Sequence, residues 1–173
     1  MIKYYLTTSL LLLPFIALKA QYISPTDLLQ MHKLWQINDP HCDRNTYEYL
    51  LTVDKNWVPT GKPTNDEKGY TSIIGYSKDR KTWYQPNECQ IMLSLDRGTM
   101  KKAMAYTFTE TETWKQYNQQ MIIMNATQLG SGPSNGGKQT IYQINDIVFI
   151  LAEFPPGVNG NDRSYQVLLL RGD

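Results

Sequence analysis

Apolar and polar positions follow one another along this chain in three different rhythms, and each rhythm predicts a kind of element. At the start there is no alternation: Leu6 to Leu18 is almost wholly apolar, with Leu10 to Leu13 unbroken. From Ser24 the apolar positions recur at helical spacing, as Leu28, Met31 and Trp35 with Leu34 alongside. Ser24-Pro25-Thr26-Asp27 carries the start signals of that helix: Ser24 caps, Pro25 fits the first turn and Asp27 closes the box. Asp39-Pro40 ends the element, because a residue before proline resists helical angles. A second short helix is expected from Thr46 to Asp54, with Tyr47, Leu50 and Leu51 inward.

Beyond Trp57 the period drops to two. Tyr70 to Ser77, Glu88 to Asp96 and Lys102 to Thr109 are short, rich in β-formers and separated by turn residues. Ile91, Leu93 and Leu95 alternate with Gln90, Met92 and Ser94, which predicts antiparallel sheet with one face inward. Thr109-Glu110-Thr111-Glu112 reads as a capping box that restarts a helix, followed by a stripe of Trp114, Tyr117, Met121 and Met124. Gly130 to Gly137 reads as a loop. Three further strands are expected at Gln139 to Asn145, Ile147 to Phe154 and Ser164 to Leu170. The last two are apolar on both faces, so they are expected to be central and covered on each side. The fold class that follows is α+β, helices packed on a mostly antiparallel β-sheet, in the order α(α)-βββ(β)-α-βββ.

The opening apolar run changes the picture of where the chain works. Lys3, the apolar stretch and the small residue of Ala17-Leu18-Lys19-Ala20 stand in the order of a signal peptide. The run falls short of the ~20 residues that a membrane anchor needs. Residues 1–20 are therefore read as a leader cut near Ala20-Gln21, and residues 21–173 as one α+β domain, secreted or periplasmic. No membrane span is expected in the mature chain. Of 17 basic residues, the loss of Lys3 and Lys19 leaves 15 against 16 acidic ones, a net charge of −1 with histidine neutral. With no polybasic run, nucleic acid is not an expected partner. Cys42 and Cys89 both survive into the mature chain, and an oxidising compartment predicts a disulfide between them, worth ~4 kcal/mol by loop closure.

Candidate chemistry is sparse. Gly132-Pro133-Ser134-Asn135-Gly136-Gly137-Lys138 approaches a phosphate loop, but Gln139 stands where Ser or Thr must hold magnesium, and a strand follows rather than a helix. His32 and His41 are the chain's two histidines and show no metal-ligand spacing, so neither metal nor cofactor is expected. They also leave a Ser or Cys nucleophile short of a base, and no Gly-x-Ser-x-Gly elbow occurs. Glu153, near the end of an apolar strand, is the acid to watch; its plainer role is an ion pair with Arg163 across the Pro155 to Asp162 loop. Trp83 and Tyr84 sit in the polar stretch Lys78 to Asn87, and Tyr70 follows a charged loop. Such aromatics suit a binding surface, since they bury much area while losing few rotamers. Asn125-Ala126-Thr127 matches a glycosylation acceptor and Arg171-Gly172-Asp173 an adhesion tripeptide; neither is assigned a role.

The leader, Leu28 and Leu29, Tyr49-Leu50-Leu51 then Trp57, Gly75-Tyr76, the Trp114 and Tyr117 helix and Tyr165-Gln166-Val167-Leu168-Leu169 together resemble a loose group of uncharacterised small secreted bacterial α+β domains. That resemblance implies the fold and no particular activity. The functional expectation is a non-enzymatic secreted or periplasmic domain that binds a protein through Trp83, Tyr84, Tyr70, Glu153 and Arg163, as an inhibitor, immunity partner or surface component. The alternatives are a small carboxylate-dependent hydrolase or a structural envelope protein.

Overall fold

The computed structural model describes residues 23–76, 89–134, 136–156 and 163–172. The expected leader, Trp83, Tyr84 and most of the Pro155 to Asp162 loop lie outside the described residues. Helix α1 runs Pro25–Gln36, and its start is as the local chemistry dictates. Ser24 accepts from the Asp27 amide at 3.1 Å with Pro25 in the first turn. Its buried side is Leu28, Met31, His32 and Trp35. Helix α2, Cys42–Val53, begins four residues earlier than the apolar pattern suggests. Asp39 folds the chain back by accepting the His41 amide at 2.6 Å on its carboxylate and the Cys42 amide at 3.2 Å on its carbonyl. Cys42, Thr46 and Leu50 then face inward at steps of four.

Strands β1 (Trp57–Pro59), β2 (Thr64–Asn65), β3 (Gly69–Tyr76), β4 (Gln90–Asp96) and β5 (Lys101–Phe108) follow, then α3 (Thr111–Ile123). The four last are β6 (Thr127–Ser134), β7 (Gly137–Ile144), β8 (Ile147–Phe154) and β9 (Ser164–Arg171). All pairings are antiparallel, in one sheet ordered β1-β3-β4-β5-β9-β8-β7-β6, with β2 also on β3. The domain is thus mixed α+β and mostly sheet. The hydrogen-bonded junction of its two halves is β5 with β9, so the chain's last strand closes against its middle.

One face of this sheet is the core wall. Leu93, Met104, Leu169 and Phe149 lie side by side across four strands, and Ile91, Tyr106, Val167 and Leu151 form the next row. All eight are at most 1 % exposed. At ~2 kcal/mol for each large apolar side chain removed from water, rows of this kind drive the fold. The helices pack here: Tyr117 of α3 stacks on Phe108 at 5.8 Å, Trp114 stacks on Tyr165 at 4.9 Å, and α1 rests on β5. Tyr117 also donates its hydroxyl to the Ile23 carbonyl, tying α3 to the chain before α1.

Four expectations are corrected. Cys42 and Cys89 are separate buried thiols, without a disulfide. Cys42 lies against Lys102, which pairs with Leu95 at one end of β4, whereas Cys89 directly precedes Gln90 at the other end. A strand of that length holds the two ~20 Å apart, far beyond the ~7 Å between Cα atoms that a disulfide spans. Gly130 to Gly137 is a β-hairpin rather than a loop: Ser134 pairs with Gly137, and Gly136 takes φ +83° in the two-residue turn. Pro133 is tolerated because β6 is an edge strand. Helix α3 starts one residue later than the expected capping box implies, at Thr111, with Glu110 at its N-cap making no side-chain cap bond and accepting from Thr113 at 3.0 Å. Finally, β8 and β9 are central but covered on one face, among the described residues. Val148, Ile150, Leu168 and Leu170 point away from the helices and are half-buried.

Candidate functional site

A cleft of about 730 Å³ opens where the end of α1 and the start of α2 meet the β4–β5 turn. Its apolar wall is Trp35, Tyr70, Leu95 and Met100, and its polar groups include Asp43, Arg97 and Lys102. Each is placed by a different element. Trp35 is the last inward residue of α1, and its ring lies 5.8 Å from that of Tyr70 on β3. Tyr70 donates its hydroxyl to Asp43 Oδ2 at 2.6 Å, which fixes the ring against the first turn of α2. Burial, and then the Asp43 carboxylate, raise the Tyr70 phenol well above its ordinary value, so it remains a donor across the physiological range.

Lys102 is the hinge pin of the site. Its Nζ donates to the carbonyls of Trp35 at 2.9 Å and Ile37 at 3.0 Å, where α1 ends and its dipole is negative. The same ammonium lies 5.0 Å from the centre of the Trp35 ring and 3.7 Å from Cys42 Sγ. Arg97 in the β4–β5 turn donates to the Asp66 carbonyl at 2.6 Å and to the Asn65 side-chain oxygen. Both cations are thus held by neutral oxygens, and the carboxylates of Asp39 and Asp43 line the same cleft.

Met100 completes the lip. It is 71 % exposed and sits at φ +55°, in the left-handed region that disfavours a side chain. A large flexible apolar side chain held in water on a strained backbone is an arrangement suited to contact with something else.

Of the binding candidates singled out in the sequence, Tyr70 alone lines this cleft among those described, and Cys42, singled out there for a disulfide, lines it as well. Glu153 and Arg163 make an ion pair of 3.1 Å across the β8–β9 connection. They stand at the opposite end of the sheet, since Glu153 pairs with Tyr165, which pairs with Phe108 at the far end of β5 from Lys102. The structure therefore does not bring Tyr70 together with Glu153 and Arg163. Trp35, Asp43, Arg97, Met100 and Lys102 were missed by sequence reasoning. The one available signal was an apolar residue in the polar turn Asp96-Arg97-Gly98-Thr99-Met100-Lys101. Among the described residues, no three His, Cys, Asp or Glu side chains converge as a metal site would need.

No protein-family profile matches the chain, and neither characterised proteins nor solved structures show a significant match to it. The cleft itself therefore carries the functional argument.

Proposed function

We propose that this chain is a secreted or periplasmic, non-enzymatic domain that binds another protein, and that the partner inserts side chains into the cleft between α1, α2 and the β4–β5 turn. The observation that carries this reading is Met100, exposed and in a left-handed conformation at the lip of an aromatic wall. Trp, Tyr, Met and Arg are the residue types that protein interfaces concentrate, and Trp, Tyr and Arg supply most of their hot spots. Here Trp35, Tyr70, Met100 and Arg97 border one concavity. With Arg97 and Lys102 facing Asp39 and Asp43 across the cleft, the arrangement favours a partner segment that brings polar groups of both kinds beside an apolar side chain.

The test is a quantitative pull-down from the envelope and medium of the producing cell, repeated with Met100→Ser and Arg97→Ala. Both substitutions lie on an exposed turn and leave the core rows untouched, so folding is checked simply by near-UV circular dichroism. One protein retained in stoichiometric amount by the wild type, and held at least ~10-fold more weakly by each variant, is the expected result. Retention that neither variant weakens would remove the cleft from the reading, and the absence of any retained protein would count against binding altogether.

A further inference from the structure

The outward face of the sheet carries a pattern that the helices do not use. Strand register sets Ile73, Met92, Ala105, Leu168, Ile150 and Ile141 side by side in one row across β3, β4, β5, β9, β8 and β7. Ala103, Leu170 and Val148 continue it in the next row. An antiparallel sheet with water on one side alternates apolar inward with polar outward. This sheet breaks that rule in its middle strands. Along the paired strands the outward charges are Asp96 and Lys101, which face each other beside the β4–β5 turn, one row beyond Ala103. All three helices pack on the other face.

The geometry points to a second copy of this chain as the cover of the outward face. The argument is one of relief. Beside the β5–β9 junction the outward side chains are small on β5, Ala103 and Ala105, and large on β9, Leu170 and Leu168. A two-fold axis along that junction lays β5 of each copy over β9 of the other, so Leu170 of one copy descends onto Ala103 of its mate, and Leu168 lies over Ala105, which is 2 % exposed and already covered by its own neighbours. The same operation sets Met92 over Ile150 and Ile73 over Ile141, matching apolar with apolar on either side. An interface of this isologous kind repeats each contact twice. It traps no unpaired charge, because the apolar rows contain none. Six strands ~4.8 Å apart by three outward rows ~7 Å apart, the third being a polar rim of Gln90, Thr107, Gln166 and Gln139, offer ~600 Å² per copy, or ~1,200 Å² in all, the lower edge of specific interfaces. The sheets would meet as an aligned sandwich, rotated by the ~30° that their twist imposes. The cleft opens on the helix side, so pairing leaves it accessible and the two readings stand or fall separately.

Sedimentation of the protein decides the question, with the chain expressed from Met1 and purified as the cell processes it, from low micromolar to sub-millimolar concentration. The wild type is expected to shift from one chain to two across that range. Leu168→Lys combined with Ile150→Lys should remain a single chain throughout while keeping its near-UV circular dichroism. If the lysine pair does not fold, Leu168→Thr with Ile150→Thr retains strand-forming side chains and should weaken pairing at least ~10-fold. A wild type that stays single at every concentration overturns the proposal, as does a folded lysine or threonine pair that dimerises as well as wild type. Single wild-type chains that float with phosphatidylcholine vesicles would assign the face to lipid instead.

Discussion

His32 shows how far one side chain can depart from what its type suggests. It is 1 % exposed on the inner side of α1, with its Nε2 3.1 Å from the Gln36 amide. Burial lowers its pKa from 6.5 to about 4, outweighing the opposite pull of Asp146 across the sheet end, while Arg171 adds to the lowering. Because the folded value lies below the ordinary one, protonation favours the unfolded chain. Stability from a neutral His32 is full above pH 6.5 and is lost as pH falls toward 4, by roughly 3 kcal/mol. His32→Leu removes that dependence. The wild-type urea midpoint should therefore fall relative to that of the variant as pH drops through this window; parallel pH profiles would contradict the assignment. His32 was legible as a helix residue from its spacing, but its neutrality was not, because desolvation depends on what β5 and its neighbours lay over it.

At the level of elements, α1 is held to the sheet by a contact that no local pattern reveals. Lys102 reads as an ordinary strand lysine, yet its ammonium caps the carbonyls of Trp35 and Ile37 from across the core. Lys102→Met keeps the long stem against Trp35 and removes the charge. The expected loss is about 2 kcal/mol, the worth of hydrogen bonds made by a charged donor, seen as a lower denaturation midpoint at unchanged slope. Partner affinity should fall with it, since Lys102 and Trp35 both border the cleft. An unchanged midpoint would mean that solvent replaces the ammonium without cost. Helix α2 illustrates the converse: its early start at Cys42 is set by the Asp39 turn, chemistry written within four residues of sequence.

For the molecule as a whole, the two thiols alter the stability argument. A disulfide would have contributed ~4 kcal/mol by restricting the unfolded chain. With Cys42 and Cys89 at opposite ends of β4, that contribution is absent and stability rests on the buried rows. Thermal unfolding with and without a reductant should give the same midpoint, and both thiols should react with a thiol reagent once the protein is denatured. A midpoint several degrees lower in reductant would show that the cysteines are bridged after all. The nine-stranded sheet also reaches further than the strand pattern implied, because β6 was hidden in a run of Gly, Ser and Pro that spells turn rather than strand.

The sequence by itself determined the local pieces. Alternation and β-forming composition placed β3, β4, β5 and β7, and continuous apolar runs placed β8 and β9, all within a residue or two, and Ser24-Pro25 fixed the start of α1, because these signals depend on side-chain direction and backbone geometry alone. It also marked Tyr70, although not the wall that Tyr70 belongs to. Only the tertiary structure decided which pieces meet. Strand order set Lys102 against the end of α1, separated Cys42 from Cys89 and parted Tyr70 from Glu153 and Arg163. It likewise decided which face of β8 and β9 the helices cover. The physical reason is the same in each case: burial, charge neighbours and thiol spacing are properties of contacts between residues distant in sequence. Such contacts follow from pairing order, which alternation along one strand does not encode.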